Sequence, residues 1–420
     1  MRVLVGLVLA IASSAESRFP FTTTQVAEVV ANLEMSSPGA DWGSRGREAA
    51  VANVILDGKP HQQVILFAGS KRHTYRLSLG LLPAGRHDIL IERNERFSAA
   101  GTGVEAHSVK IEEISRNNPE YDVFAYAPVL FARLNTVGRF SDIPLLLYCE
   151  HLRVDGEDTL QYTVIFSNED GGTSTRALMG RWGRTTDIEY VYRRSMKSGT
   201  AIVQGPDHVD MEFRGAHDGD HPMLMPVTDN NMIAEAKDSP LQFRLAPIVV
   251  DLSRSSREQI MDCNPITYEV MIKELDREGK LRPFGVVDGE KVSDPRNYLF
   301  VDYAAKLTHA AVTVAVRLDD GSVYASDFGR SDIAIHRDGY VRTTVELPPG
   351  TAASRVRDLL FECRVSPPSR SAPWPHSGKC EIQAVTKVFQ LQRDYTPGRS
   401  LWSTDKAVIL STGRGASFTP

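Results

Sequence analysis

Long apolar runs are scarce in this chain. Val3–Ala12 spans about ten residues, and no later stretch approaches the roughly 20 needed to cross a bilayer as a helix. No transmembrane segment is therefore expected. An excess of one charge sign is also missing. The 48 basic and 53 acidic residues leave a formal charge of −5. Neither a basic nucleic-acid surface nor a polybasic membrane patch is indicated. Cysteine is sparse, with four residues and no CxxC pair, which argues against a zinc ribbon. The chain carries no GxSxG elbow, no HExxH, no P-loop and no GxGxxG loop. Each absence removes the local geometry its chemistry needs, so a serine hydrolase, a zincin and an enzyme with a nucleotide cofactor are all disfavoured. No internal repeat and no low-complexity tract occurs.

What is present begins with an export signal. Arg2 supplies a positive start, Val3–Ala12 an apolar core, and Ser13, Ser14 and Ala15 small residues before cleavage near Ser17. Residues 1–17 are expected to be a signal peptide and the mature protein to be secreted or periplasmic. No Cys follows the cleavage region, so no lipid anchor is expected there. An oxidising compartment permits disulfides. Cys363 and Cys380 flank a Pro/Ser-rich loop and form the preferred pair. Cys149 closes the apolar run from Ile143 and reads as a buried thiol.

Most of the chain alternates apolar and polar residues, the period of half-buried strands. Tyr75, Leu77 and Leu79 do so in the first part. Leu160, Tyr162, Val164 and Phe166, then Ile188, Tyr190 and Tyr192, then Val312, Val314 and Val316, do so in the second. Asp57-Gly58 signals a tight hairpin. Two segments are ambiguous. Val26, Val29, Val30 and Leu33 have helical spacing but much β-branching, and Tyr268–Leu275 suits either state, with the turn-like Asp276–Gly279 favouring a hairpin. Asn117-Asn118-Pro119 is a polar break. The fold is expected to be mainly β, with two β-sandwich domains in series. An accessory sandwich covers 18–118. A larger one at 119–420 has long loops at 167–186, 204–240 and 365–380, and bears the site.

The most suggestive run is Arg181–Tyr190. On a strand, Asp187 and Glu189 share one face, while Ile188 and Tyr190 turn to the other. Two carboxylates so spaced can share a hard divalent cation or divide acid and base roles. Arg181 and Arg184 just upstream can hold an anionic group. A solvated strand face with salt bridges is the plain alternative. A second cluster, His217-Asp-Gly-Asp-His221, is followed by Asn230 and Asn231. Gly219 and Pro222 forbid a regular helix there, so a loop would have to turn these groups toward one ion. Ser167–Thr173 reads as a glycine turn or a calcium loop. Trp42 reads as a core residue or an exposed platform for a sugar ring.

The stretch 124–192 resembles the family called vacuolar protein sorting-associated protein 62, through Tyr126–Phe131, Leu160–Ser167 and Thr186–Val191. Gly183–Glu189 is similar to a heptad of the necrosis- and ethylene-inducing peptide 1-like toxins. Gly183, Asp187 and Glu189 match, whereas Arg184, Thr186 and Ile188 replace two histidines and a tryptophan of that heptad. The resemblance implies a β-sandwich. It also implies Asp187 and Glu189 as ligands of a divalent cation beside a pocket for sugar head groups.

The leading expectation is a secreted protein that processes or binds a carbohydrate-containing ligand, with metal-dependent glycan hydrolysis or elimination as the chemistry. The catalytic set is Asp187, Glu189, Arg184 and His221. Substrate would meet Arg181, Tyr190, Asn230 and Asn231. A calcium or magnesium ion would be held by Asp187, Glu189, His217 and Asp220. The alternatives are a non-catalytic glycan-binding adhesin, a membrane-targeting lectin or toxin-like protein, and a purely structural envelope protein.

Overall fold

The computed structural model describes residues 17–169, 171–365 and 377–419. The expected signal segment up to residue 16 and most of the Pro/Ser-rich loop lie outside the described residues. The fold is mainly β, built of several antiparallel sheets, as the alternating pattern predicts.

Contacts divide the described chain into two compact units, but not at residue 118. One unit runs to Phe140 and takes back Arg214–Met225 and Glu235–Pro247. The reason is strand pairing. Val129–Phe131 lies beside His221–Pro226 in parallel and beside Gln242–Phe243 antiparallel, so later segments return to complete this unit.

In that unit one sheet has the order Ser17–Thr23, Gly85–Arg93, Val51–Leu56, Lys59–Ile65, and the other the order His73–Leu82, Ala27–Ser36, Glu105–Ser115. Asp57 and Gly58 carry φ values of 49° and 76°, the positive pair that a two-residue hairpin turn requires. The helical spacing of Val26 to Leu33 is not used. Ala27–Ser36 is paired on both edges, and its β-branched residues suit a pleated surface. Trp42 is wholly buried and meets Phe140 edge-on at 6.1 Å, so it is a core residue and not an exposed platform.

The second unit contains a six-stranded sheet in the order Val209–Glu212, Ala201–Gly205, Asp187–Ser195, Glu157–Phe166, Pro144–Val154, Ile248–Val250. It also contains a sandwich. One layer is Gly339–Glu346, Tyr298–Thr308, Lys379–Gln390, Val408–Ser411, and the other is Val323–Ala325, Ala310–Leu318, Val356–Val365, Gly415–Phe418. Cys363 and Cys380 form the expected disulfide, which ties one layer to the other. Cys149 is a buried free thiol, as expected, and Cys263 an exposed one.

Tyr268–Leu275 belongs to a helix, Ile266–Arg277, and not to a hairpin. Tyr268, Met271, Ile272 and Leu275 recur on one helical face. They pack with Ile165 and Ile188 of the six-stranded sheet and with Phe300 of the sandwich. The polar stretch ending in Gly279 stops the helix, with φ of 68° at the glycine. Such a signal serves a helix end as well as a turn.

The segment 167–186, expected as a loop, holds a second helix, Thr175–Trp182. Ser174 caps it by accepting from the Ala177 N–H, and Gly183 ends it at φ 67° with its N–H donated to the Met179 carbonyl. Thr343 and Thr344 donate their hydroxyls to the Gly180 and Met179 carbonyls, so the helix is fixed on the sandwich.

Candidate functional site

Helix Thr175–Trp182 delivers Arg184 directly into the interior of the second unit. Gly183 permits the turn because it takes a left-handed φ, and a Cβ there would stand 2.7 Å from Thr344 Cγ2. Arg184 is 1% exposed. Its guanidinium donates to the Thr186 carbonyl and, at 3.3 Å, to Glu258, and lies 5.4 Å from the Trp182 ring centre.

The strand Asp187–Ser195 follows at once. It pairs with Glu157–Phe166 along its length, but Ala201–Gly205 meets it only at Arg193 and Arg194. The edge beside Asp187 and Glu189 is thus left without a strand partner among the described residues. A cavity of about 250 Å³ lies here. Glu169, Glu189, Arg184 and Arg257 line it, and the half-buried Trp182 adds an apolar wall. His208, Asn230 and Arg337 line it from more open positions. The Asn230 side chain contacts His208 Nε2 at 3.0 Å, and Gln204 contacts His208 Nδ1 at 2.7 Å.

Burial sets the electrostatics. Glu169 is 8% exposed. Its desolvation outweighs the pull of Arg184 and a hydrogen bond from Thr173, and the nearby Glu189 adds repulsion, so its pKa is pushed up to about 7. Asp187 is 1% exposed. Burial first, then Glu189 and Glu169, hold its carboxyl well above the usual carboxylate range. Asp187 accepts from Asn231 Nδ2 at 2.9 Å, while its other oxygen has no hydrogen-bond partner. Glu258 behaves oppositely. Burial works against its charge, but Arg184, Arg257, Arg337 and Arg342 overcome it and keep the carboxyl below its usual range. Burial also works against the charged form of Arg257, but Glu189 and Glu258 prevail and hold its pKa above the usual range.

Asp187, Glu189, Arg184, Asn230 and Asn231 are therefore brought together, with Asp187 and Asn231 forming a buried layer behind the carboxylates that face the cavity. Tyr190 turns to the opposite side of its strand, against a second cavity. Arg181 donates to the Asp332 carbonyl and lines neither cavity. The residues 217–221 belong to the first unit. There Asp218 pairs with Arg244, and His221 is buried between the Ala127 carbonyl at 2.8 Å and Glu28 at 3.5 Å. His217, Asp220 and His221 line neither cavity. Asp170 of the expected calcium loop lies outside the described residues, and Glu169 and Thr173 of the same run face the first cavity.

The residues present do not fit the divalent cation expected at Asp187 and Glu189. Among the described residues no group of three His, Cys, Asp or Glu side chains is placed to hold one. Arg184, Arg257 and Arg337 act electrostatically on these carboxylates or on their neighbour Glu258. Their fixed positive charges would oppose a further cation. Sequence reasoning did not single out Arg257, Arg337, Glu258 or His208: the first three lie far along the chain from Asp187, and none of the four belongs to a recognisable motif.

No protein-family model matches the chain, and no curated protein matches it. Solved structures resemble it weakly. A family two carbohydrate esterase from Clostridium thermocellum, in complex with cellohexaose, is 17% identical over 26% of this chain and 28% of its own, with a TM-score of 0.17. The EclA C-terminal domain, a sugar-binding protein, is 17% identical over 25% of this chain and 83% of its own, also at 0.17. A lectin from Pleurotus ostreatus in complex with GalNAc covers 94% of this chain at 11% identity and a TM-score of 0.13. The chain spans little more than a quarter of the esterase's length, and likenesses at these scores carry no argument about function.

Proposed function

We propose that the protein acts outside the cytoplasm and binds a carbohydrate-containing ligand in the Glu169–Glu189 cavity, where these two carboxylates process it by hydrolysis or elimination. The observation that carries this reading is the split environment of neighbouring carboxyl groups in one cavity. Glu169, with its pKa at about 7, is partly protonated at neutral pH and suits a general acid. Glu189 lines the same cavity beside the Arg257 guanidinium and is placed to act as general base. Trp182 offers a ring face for a sugar, and His208 and Asn230 offer hydrogen bonds at the mouth. The disulfide between Cys363 and Cys380 supports an oxidising compartment.

A non-catalytic binding module is favoured by a different feature of the same cavity, the close balance of carboxylates and guanidinium groups. One experiment separates the two. Glu169→Gln keeps the shape and removes the transferable proton. Activity against a glycan panel should fall by about 10²-fold or more, with ligand binding retained by calorimetry. Saturable binding without product in the unmodified protein would establish the binding module, and no binding to any glycan would refute both.

A further inference from the structure

A second cavity, of about 310 Å³, adjoins the first. Its floor is one face of the six-stranded sheet. Tyr148, Thr163 and Tyr190 pair across three adjacent strands, and so share a face. An irregularity follows, in which Val191 is passed over between the pairs Thr163–Tyr190 and Tyr162–Tyr192. One extra residue reverses the alternation. Arg193 therefore comes onto the same face as Tyr190, opposite Gln161, and both line the cavity. Arg193 is fully engaged, donating to Gln161 Oε1 at 2.6 Å and to Asp210 at 3.0 Å.

The two cavities have Arg257 and Arg337 in common. Unlike Arg193, these two guanidinium groups donate no hydrogen bond among the described residues, and Arg257 is held only by a longer ion pair. Arg257 Nε is shielded from solvent and has no hydrogen-bond partner, and its nearest carboxylate, Glu258, stands 3.6 Å away. Glu258 is itself shared with Arg184 at 3.3 Å. Arg337 has no hydrogen bond or ion pair among the described residues, and the charge of Arg257 acts against its own. Two like charges facing one another with open donors are unfavourable by themselves and favourable around an anion. Either volume alone is at or below the lower end of the roughly 300–1,000 Å³ usual for ligand sites, and together they fall inside it.

We infer that the two cavities are subsites of one groove for an acidic oligosaccharide, whose carboxylate or sulfate ester lies between Arg257 and Arg337. One sugar unit would sit against Trp182 and the next against Tyr190 and Tyr340. This rests on the sugar-binding reading above and adds to it the charge and the length of the ligand.

The test is calorimetry on the full chain with four probes: a uronate tetrasaccharide, the uronate monosaccharide, a sulfated oligosaccharide and a neutral tetrasaccharide. Arg337→Gln is the main variant, because Arg337 is exposed and its loss leaves the core intact. Gln161→Ala alters the second cavity alone. An acidic tetrasaccharide should bind at least tenfold more tightly than the neutral one, and more weakly as salt is raised. Arg337→Gln should remove that preference. Gln161→Ala should weaken the tetrasaccharide several-fold and leave the monosaccharide unchanged. The carboxylate and sulfate arms show which acid is preferred. Neutral and acidic sugars binding alike, unaffected by Arg337→Gln, would overturn the inference and leave the sugar-binding reading standing. Equal binding of mono- and tetrasaccharide, unaffected by Gln161→Ala, would overturn the two-subsite part. No binding of any sugar would overturn both readings.

Discussion

At the scale of single residues, the chemistry of the candidate site follows from desolvation. Glu169 binds more protons in the folded state than in the unfolded state between its ordinary pKa of 4.5 and about 7. Its ionisation therefore opposes folding, and stability falls as pH rises through that window. The penalty is on the order of 3 kcal/mol. Glu169→Gln should flatten the decline in melting temperature between pH 5 and 8. An unchanged slope would show that Glu169 titrates normally. Asp187 points the same way, since its carboxyl is held well above the usual range by burial and by two neighbouring carboxylates. Asp187→Asn should leave the melting temperature near pH 4, at the ordinary aspartate pKa, within a few degrees and raise it relative to the parent at pH 8. A large loss at both pH values would mean that a charged Asp187 supports the fold.

At the scale of elements, one helix end decides whether there is a site. Thr175–Trp182 stops at a glycine whose left-handed φ and close neighbours exclude a side chain. Gly183→Ala should cost about 1–3 kcal/mol by strain and crowding and weaken ligand binding, because Arg184 follows immediately. Melting and calorimetry on the same variant check both. The helix Ile266–Arg277 is held to the sandwich by Arg342, which is buried and bonded to Asp302 at 2.6 and 2.8 Å, to Asp262 at 2.8 and 2.9 Å, and to Tyr268. Arg342→Met leaves two buried carboxylates without their guanidinium. A loss of about 3–5 kcal/mol is expected in denaturant unfolding, and a loss below 1 kcal/mol would show that Lys387, which also reaches Asp262, suffices.

At the scale of the whole molecule, the disulfide joins the two layers of the sandwich across a sequence separation of 17. Loop-closure entropy for a loop of that length is worth about 3 kcal/mol. Replacing Cys363 and Cys380 together by Ser should lower unfolding stability by about that amount, and reductant should do the same to the parent but not to the variant. The strand alternation at 160–166, 187–192, 310–318 and 339–346 is plain in the sequence because successive residues face opposite sides of a strand and the apolar ones gather on one side, although both sides are largely buried here. The return of Arg214–Met225 and Glu235–Pro247 to the first unit is not, because strand partners far apart in sequence leave no local pattern.

The sequence by itself determined the β character, the Asp57-Gly58 hairpin, the Cys363–Cys380 pair and the shared strand face of Asp187 and Glu189. All of these depend on periodicity, on backbone preference or on a short stretch of chain. Tertiary structure decided which polar groups meet. It put His221 against Glu28 and Ala127, kept Asp187 behind Asn231, and brought Glu169, Arg257 and Arg337 to Glu189 from three separate segments. Burial and mutual charge, which act on distance in space and not along the chain, then set Glu169 apart from Glu258.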